Sequence, residues 1–209
     1  MARLAKGING PIVGKVGTVT GSHRNGKGYI KANNVRTAPQ TENELVAKER
    51  FATAHRFLKP LLAYIRKGFL HQPKKGFNGA KSHTLLHALA GEPMNSHVDP
   101  AMVKISEGEL PLSENLSVSQ RGNELVFTWD TEIPEGAKPY DQLMPLAYDV
   151  SRTNPKAYYN TTGAFRNSGT HSLEVWAKSG SVYHVYAAFT AADRSVNSTS
   201  VYLGTIEMN

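Results

Sequence analysis

Glu124-Leu125-Val126-Phe127-Thr128-Trp129 reads as a β-strand with one apolar face, because Leu125, Phe127 and Trp129 fall at alternate positions. Arg121-Gly122-Asn123 ahead of it has turn chemistry. Further on, the run 181–190 places Tyr183, Val185, Ala187 and Phe189 on one face and Val182, His184, Tyr186 and Ala188 on the other. Around these two anchors the same period of two gives candidate strands at 102–106, 116–120, 143–150, 156–160, 171–176 and 199–207. Short strands at this spacing, separated by polar turns, predict an antiparallel β-sandwich over 99–209. Trp129, Trp176, Tyr186 and Phe189 are expected in its core.

Upstream the period changes to that of a helix. Thr41-Glu42-Asn43-Glu44 fits a capping box, in which Thr41 caps the first turn and Glu44 answers three residues later. Ala47, Phe51, Ala54, Leu58, Leu61, Ile65 and Phe69 follow at steps of three and four, so an amphipathic helix is expected, kinked where Pro60 removes a backbone donor. A second helix over about 79–90 carries Leu85, Leu86 and Leu89 and stops at Gly91 and Pro93. Residues 33–40 read as a linker.

Residues 7–32 are rich in glycine and β-formers. Asn25-Gly26 between extended segments marks a tight hairpin, since both turn positions need positive φ. The hairpin is placed at 15–32. An isolated two-stranded hairpin is marginal in water, so something must cover it. The chain is therefore expected to be α+β: a basic hairpin-and-helix region at 1–98, then a sandwich at 99–209.

Charge follows the same division. Of 24 Lys+Arg and 17 Asp+Glu, residues 1–90 hold 16 basic and 3 acidic residues, and 91–209 hold 8 and 14. Residues 1–40 contain seven basic residues and no acid. Lys15, Arg24, Lys27, Tyr29, Lys31 and Arg36 are the candidate contacts for a partner or a polyanion. Opposite signs in the two regions would favour head-to-tail contact between copies. The chain has no cysteine, which excludes disulfides, thiolate metal sites and a cysteine nucleophile. No apolar run approaches the ~20 residues a membrane-spanning helix needs. The N-terminus lacks the apolar stretch of a signal peptide, so a cytoplasmic protein is expected, with association to a particle or filament as the variant.

Motifs that could carry chemistry fail on context. Gly21 to Gly28 fits G-x-x-x-x-G-K, but Gly28 stands where Ser or Thr should meet magnesium, and Tyr29-Ile30-Lys31 continues as a strand. Gly14-Lys15-Val16-Gly17 has the form of a KH clamp without the flanking helices. His83 and His87 stand one helical turn apart like a metal pair, but Thr84 replaces the catalytic Glu, and only His71 and His97 are near in sequence. There is no G-x-S-x-G elbow, and Glu132 and Glu135 flank Pro134 as turn residues. No catalytic residue, cofactor, metal or small-molecule substrate is assigned.

Gly7-Ile8-Asn9-Gly10 leading to Gly14-Lys15-Val16-Gly17-Thr18-Val19, the stretch Thr41 to Phe51 with Phe57-Leu58-Lys59-Pro60-Leu61, Phe127-Thr128-Trp129-Asp130, and the closing Val185 to Phe189 with Ser198 to Gly204 together resemble an uncharacterised family of proteins found mainly in Bacteroidota, a domain of unknown function. The resemblance spans nearly the whole chain. It departs at His23-Arg24, where the family more often carries Trp. It implies a C-terminal half similar to an immunoglobulin- or fibronectin-type sandwich and brings no activity. The resulting expectation is a non-enzymatic structural or interaction protein, a homo-oligomer assembling through the hairpin and sandwich edges. The alternative is a nucleic-acid-binding protein using the basic region.

Overall fold

The computed structural model describes residues 3–8, 10–33, 37–71, 76–150, 154–176 and 180–208. The chain divides into two compact units, Met1–Thr41 and Glu42–Asn209. The boundary thus falls at the linker, and the helices group with the strands that follow them.

The first unit is an antiparallel meander in the order β1 (Arg3–Ile8), β2 (Ile12–Val16), β3 (Val19–Arg24) and β4 (Lys27–Ala32). Asn25 and Gly26 close β3 onto β4 with φ of 51° and 79°, the geometry that turn demands. The expected hairpin at 15–32 is present, and β1 and most of β2 extend it. Gly21 and Gly28 are required for a reason the hairpin motif alone does not give. A Cβ on Gly21 would lie 2.0 Å from the carbonyl oxygen of Ile12, and one on Gly28 would lie 2.7 Å from Cβ of Pro11. The Pro11-Ile12 backbone lies across this glycine face, an approach that only a residue without a side chain permits.

In the second unit α1 (Glu42–Leu58) begins directly after Thr41. Pro60 sits in a single 3-10 turn, Lys59–Leu61, before α2 (Leu62–Gly68) resumes. This is the break expected from the missing donor. After α3 (Phe77–His87), a two-residue pair of β5 (Leu89–Ala90) and β6 (His97–Val98) leads into the sandwich. Its strands are β7 (Ser117–Arg121), β8 (Glu124–Thr128), β9 (Gln142–Asp149), β10 (Lys156–Tyr159), β11 (Thr170–Glu174), β12 (Val182–Thr190) and β13 (Val201–Glu207). One sheet runs β10-β9-β12-β13 and the other β11-β8-β7, all antiparallel.

Two cores meet at the larger sheet. Leu125, Phe127, Leu143, Ala147, Tyr183, Val185 and Phe189 pack between the sheets. Met144, Leu146, Tyr148, Tyr186 and Ala188, on the opposite face of β9 and β12, pack against Leu58, Leu61, Tyr64, Ile65 and Phe69 of the helical segment. Strands covered on both faces must be apolar at nearly every position, which explains the composition of 143–148 and 182–189. Tyrosine hydroxyls tie the layers together. Tyr64 donates to the Met144 carbonyl at 2.8 Å, Tyr148 to Phe57 at 3.0 Å and Tyr186 to Pro100 at 2.7 Å. Burial raises the pKa of all three, and that of Tyr148 is pushed up to about 12. The amide of Asn197 donates to the Lys67 and Gly68 carbonyls at 2.8 and 3.1 Å, tying the segment before β13 to the end of α2.

Two strand-region expectations are corrected. Residues 102–106 form no strand: Pro100–Met102 is a 3-10 turn capped by Asp99, and Ile105 and Ser106 are then held by their N–H groups donating to the Ser200 hydroxyl rather than by a ladder. Trp176 is 74% exposed rather than in the core. Its backbone carbonyl accepts from the Tyr183 hydroxyl at 3.1 Å.

Candidate functional site

The first unit carries the candidate residues, and strand register decides how they are arranged. Lys15 pairs with Thr20, and Thr20 with Lys31; Ser22 pairs with Tyr29, and Arg24 with Lys27. Paired residues share a face, and side chains alternate along each strand. Lys15, Arg24, Lys27, Tyr29 and Lys31 therefore all project from one face, with the hydroxyls of Thr20 and Ser22 between them. The four basic side chains are exposed, and Tyr29 is 46% exposed. Arg36 lies outside the described residues. Charge, with an aromatic set among it at Tyr29, singles these residues out in the sequence; the register brings five of the six onto one surface.

The opposite face holds Gly14, Val16, Val19, Gly21, His23, Gly28, Ile30 and Ala32 by the same alternation. Val16 and Ile30 are 45% and 62% exposed. Among the described side chains of this unit none is buried, Gly21 being its one buried residue. Asn33 steadies the end of β4, its backbone N–H donating to Thr18 at 2.7 Å and its side chain bonding Thr20 and the Gly17 carbonyl.

The division at 41 also divides the charge. Residues 1–41 hold seven basic residues and no acid, while 42–209 hold 17 Lys+Arg and 17 Asp+Glu. The entire net charge of +7 belongs to the first unit. Within the second unit, the excess of six acids over 91–209 is matched by an excess of six basic residues over 42–90.

The second unit holds other polar and aromatic groups. The rings of His83 and His87 lie 4.8 Å apart between centroids, and burial is the main cause holding the His83 pKa low. Among the described residues no group of three or more His, Cys, Asp or Glu is placed to hold a metal. A groove of about 380 Å³ lies between α1, residues 94–98 and the end of β9, lined by Glu49, Phe57, Met94, His97 and Tyr148. Phe51, an expected core residue, is half-exposed, with the Lys81 ammonium 4.4 Å from its ring centre. No helix among the described residues is long and apolar enough to cross a membrane.

No local pattern marks Arg166 as a special position, yet it is wholly buried. Its guanidinium donates to Ser113 Oγ and the Pro111 carbonyl, both at 2.8 Å, lies 3.5 Å from Asp141 and covers the Phe189 ring at 4.0 Å. Its backbone carbonyl accepts from Trp129 Nε1 at 2.7 Å. Its position, inside the sandwich end and held on several sides, makes it a structural ion pair.

Comparison with curated proteins and with solved structures gave no match. A family model does match, over residues 10–204, from the glycine meander through the last strand. The chain belongs to that family, described as a family of unknown function, DUF6266.

Proposed function

We propose that the protein is a non-enzymatic structural and interaction protein that docks or self-assembles through its N-terminal sheet and the margins of its sandwich. The observation that carries this reading is the first unit's lack of any buried side chain among those described, with Val16 and Ile30 open on its glycine face. A sheet this small gains stability when a partner covers such a face. The strand order β11-β8-β7 against β10-β9-β12-β13 supports an immunoglobulin- or fibronectin-type sandwich. So does Tyr183, near the start of β12, whose hydroxyl reaches back to the Trp176 carbonyl in the manner of a tyrosine corner. Such sandwiches commonly serve assembly, which is a fold-level analogy. Oligomers, filaments and phage-like particles are the settings it fits.

Light scattering on the full chain over a rising concentration series tests the proposal. A mass above that of one chain is expected, shifting toward the monomer in Val16→Ser/Ile30→Ser. A monomer throughout the series overturns it.

A second reading, binding of nucleic acid, is favoured by one specific observation: Lys15, Arg24, Lys27 and Lys31 share the other face of the same sheet.

A further inference from the structure

We infer that the basic face of the first unit binds single-stranded nucleic acid, with its phosphates held by Lys15, Arg24, Lys27 and Lys31 and an unpaired base laid on Tyr29. This deepens the second reading above and rests on it. Lys27, Tyr29 and Lys31 stand in line along β4, successive members about 7 Å apart. The ring is thus flanked by a cation in each direction along the strand. Lys15 lies across from Lys31 beyond Thr20, and Arg24 stands opposite Lys27 at the hairpin tip. Residues 1–41 contain no carboxylate, so nothing within the unit competes with phosphate for these charges.

Tyr29 decides between polyanions. A row of carboxylates would be met by the cations alone and would leave a half-exposed aromatic ring unused. A duplex keeps its bases stacked on one another, so its backbone would meet the lysines but offer the ring no base. A single strand presents both a charged backbone and free π-faces, and an aromatic set among cations on an open sheet face is suited to that combination. Pro11 and Ile12 approach the glycine face at Gly21 and Gly28, whereas on the basic face Lys15, Arg24, Lys27, Tyr29 and Lys31 are all exposed.

Fluorescence anisotropy of the full chain with a labelled oligo-dT of about 20 nucleotides, and with the matching dT·dA duplex, tests the inference. The single strand is expected to bind about tenfold tighter than the duplex. Its affinity should fall with salt at a log–log slope of about −3, from four contacts at about 0.7 each. Lys15→Glu/Lys31→Glu should weaken binding and flatten the slope. Tyr29→Ala should weaken single-strand binding about tenfold with the slope unchanged, and Tyr29→Phe should restore it. Equal binding of the duplex, or no effect of Tyr29→Ala, overturns the single-strand assignment and leaves the basic-face reading standing. Displacement of the oligonucleotide by polyglutamate at matched charge overturns it in favour of an acidic protein partner. Absence of salt-sensitive binding to either nucleic acid overturns both.

Discussion

Arg166 shows at the scale of one residue how the sandwich end is held. Burial pulls its pKa down and Asp141 pulls it back up. Removing the guanidinium would leave Asp141 buried without its counter-charge, the costly half of a buried pair. Arg166→Met is expected to destabilise by about 3 kcal/mol, lowering the melting temperature by about 10 °C. Arg166→Met/Asp141→Leu should recover most of that loss, and thermal denaturation of the three proteins checks it. The histidines set the acid response. Burial keeps the pKa values of His83, His171 and His184 below the ordinary value of about 6.5. As pH falls through that value the unfolded chain takes up protons that the folded chain refuses, so stability falls with it. At His171 the ring Nδ1 accepts from the Ala164 N–H at 3.2 Å, and a proton there would set donor against donor. The melting temperature is expected to drop between pH 7.5 and 5.5, and His171→Gln should shrink the drop.

At the scale of elements, most strands and the broken helix are legible in the sequence, because alternation, the capping box and Pro60 are local signals. Four things are not. Residues 102–106 alternate like a strand, but the N–H groups of Ile105 and Ser106 meet a serine hydroxyl 95 and 94 positions away, which no local pattern encodes. Trp176 has strand chemistry and continues beyond β11, past the last ladder pair at Glu174. β1 is hidden because Gly7, Gly10, Pro11 and Gly14 punctuate the stretch around it. Gly21 looks like an ordinary hairpin residue, whereas its reason is the Ile12 backbone crossing above it. That crossing makes Gly21→Ala informative: the new methyl group would collide with a carbonyl oxygen, which backbone has to yield to. Hydrogen exchange is expected to quicken throughout β2 to β4 in this variant while β9 and β12 keep their protection.

For the whole molecule, the sequence announces a basic front and an acidic rear, and the compact units divide at 41 so that all the net charge lies in the first. Helical periodicity says which face is apolar and is silent about what covers it; here the cover is the back of β9 and β12. Because those strands serve two cores at once, the helical and sheet layers of the second unit cannot separate without exposing both. Far-ultraviolet signals from helix and strand are expected to vanish in one coincident thermal transition for this unit, and two resolved midpoints would contradict the shared sheet. The confinement of all the net charge to 41 residues has a colloidal consequence. The large body contributes nothing to the mutual repulsion that keeps molecules dispersed. Any anion that neutralises the small cationic arm brings the molecule near its isoelectric condition, where crowding together is least opposed, so capture of a ligand and condensation of the protein would be a single event.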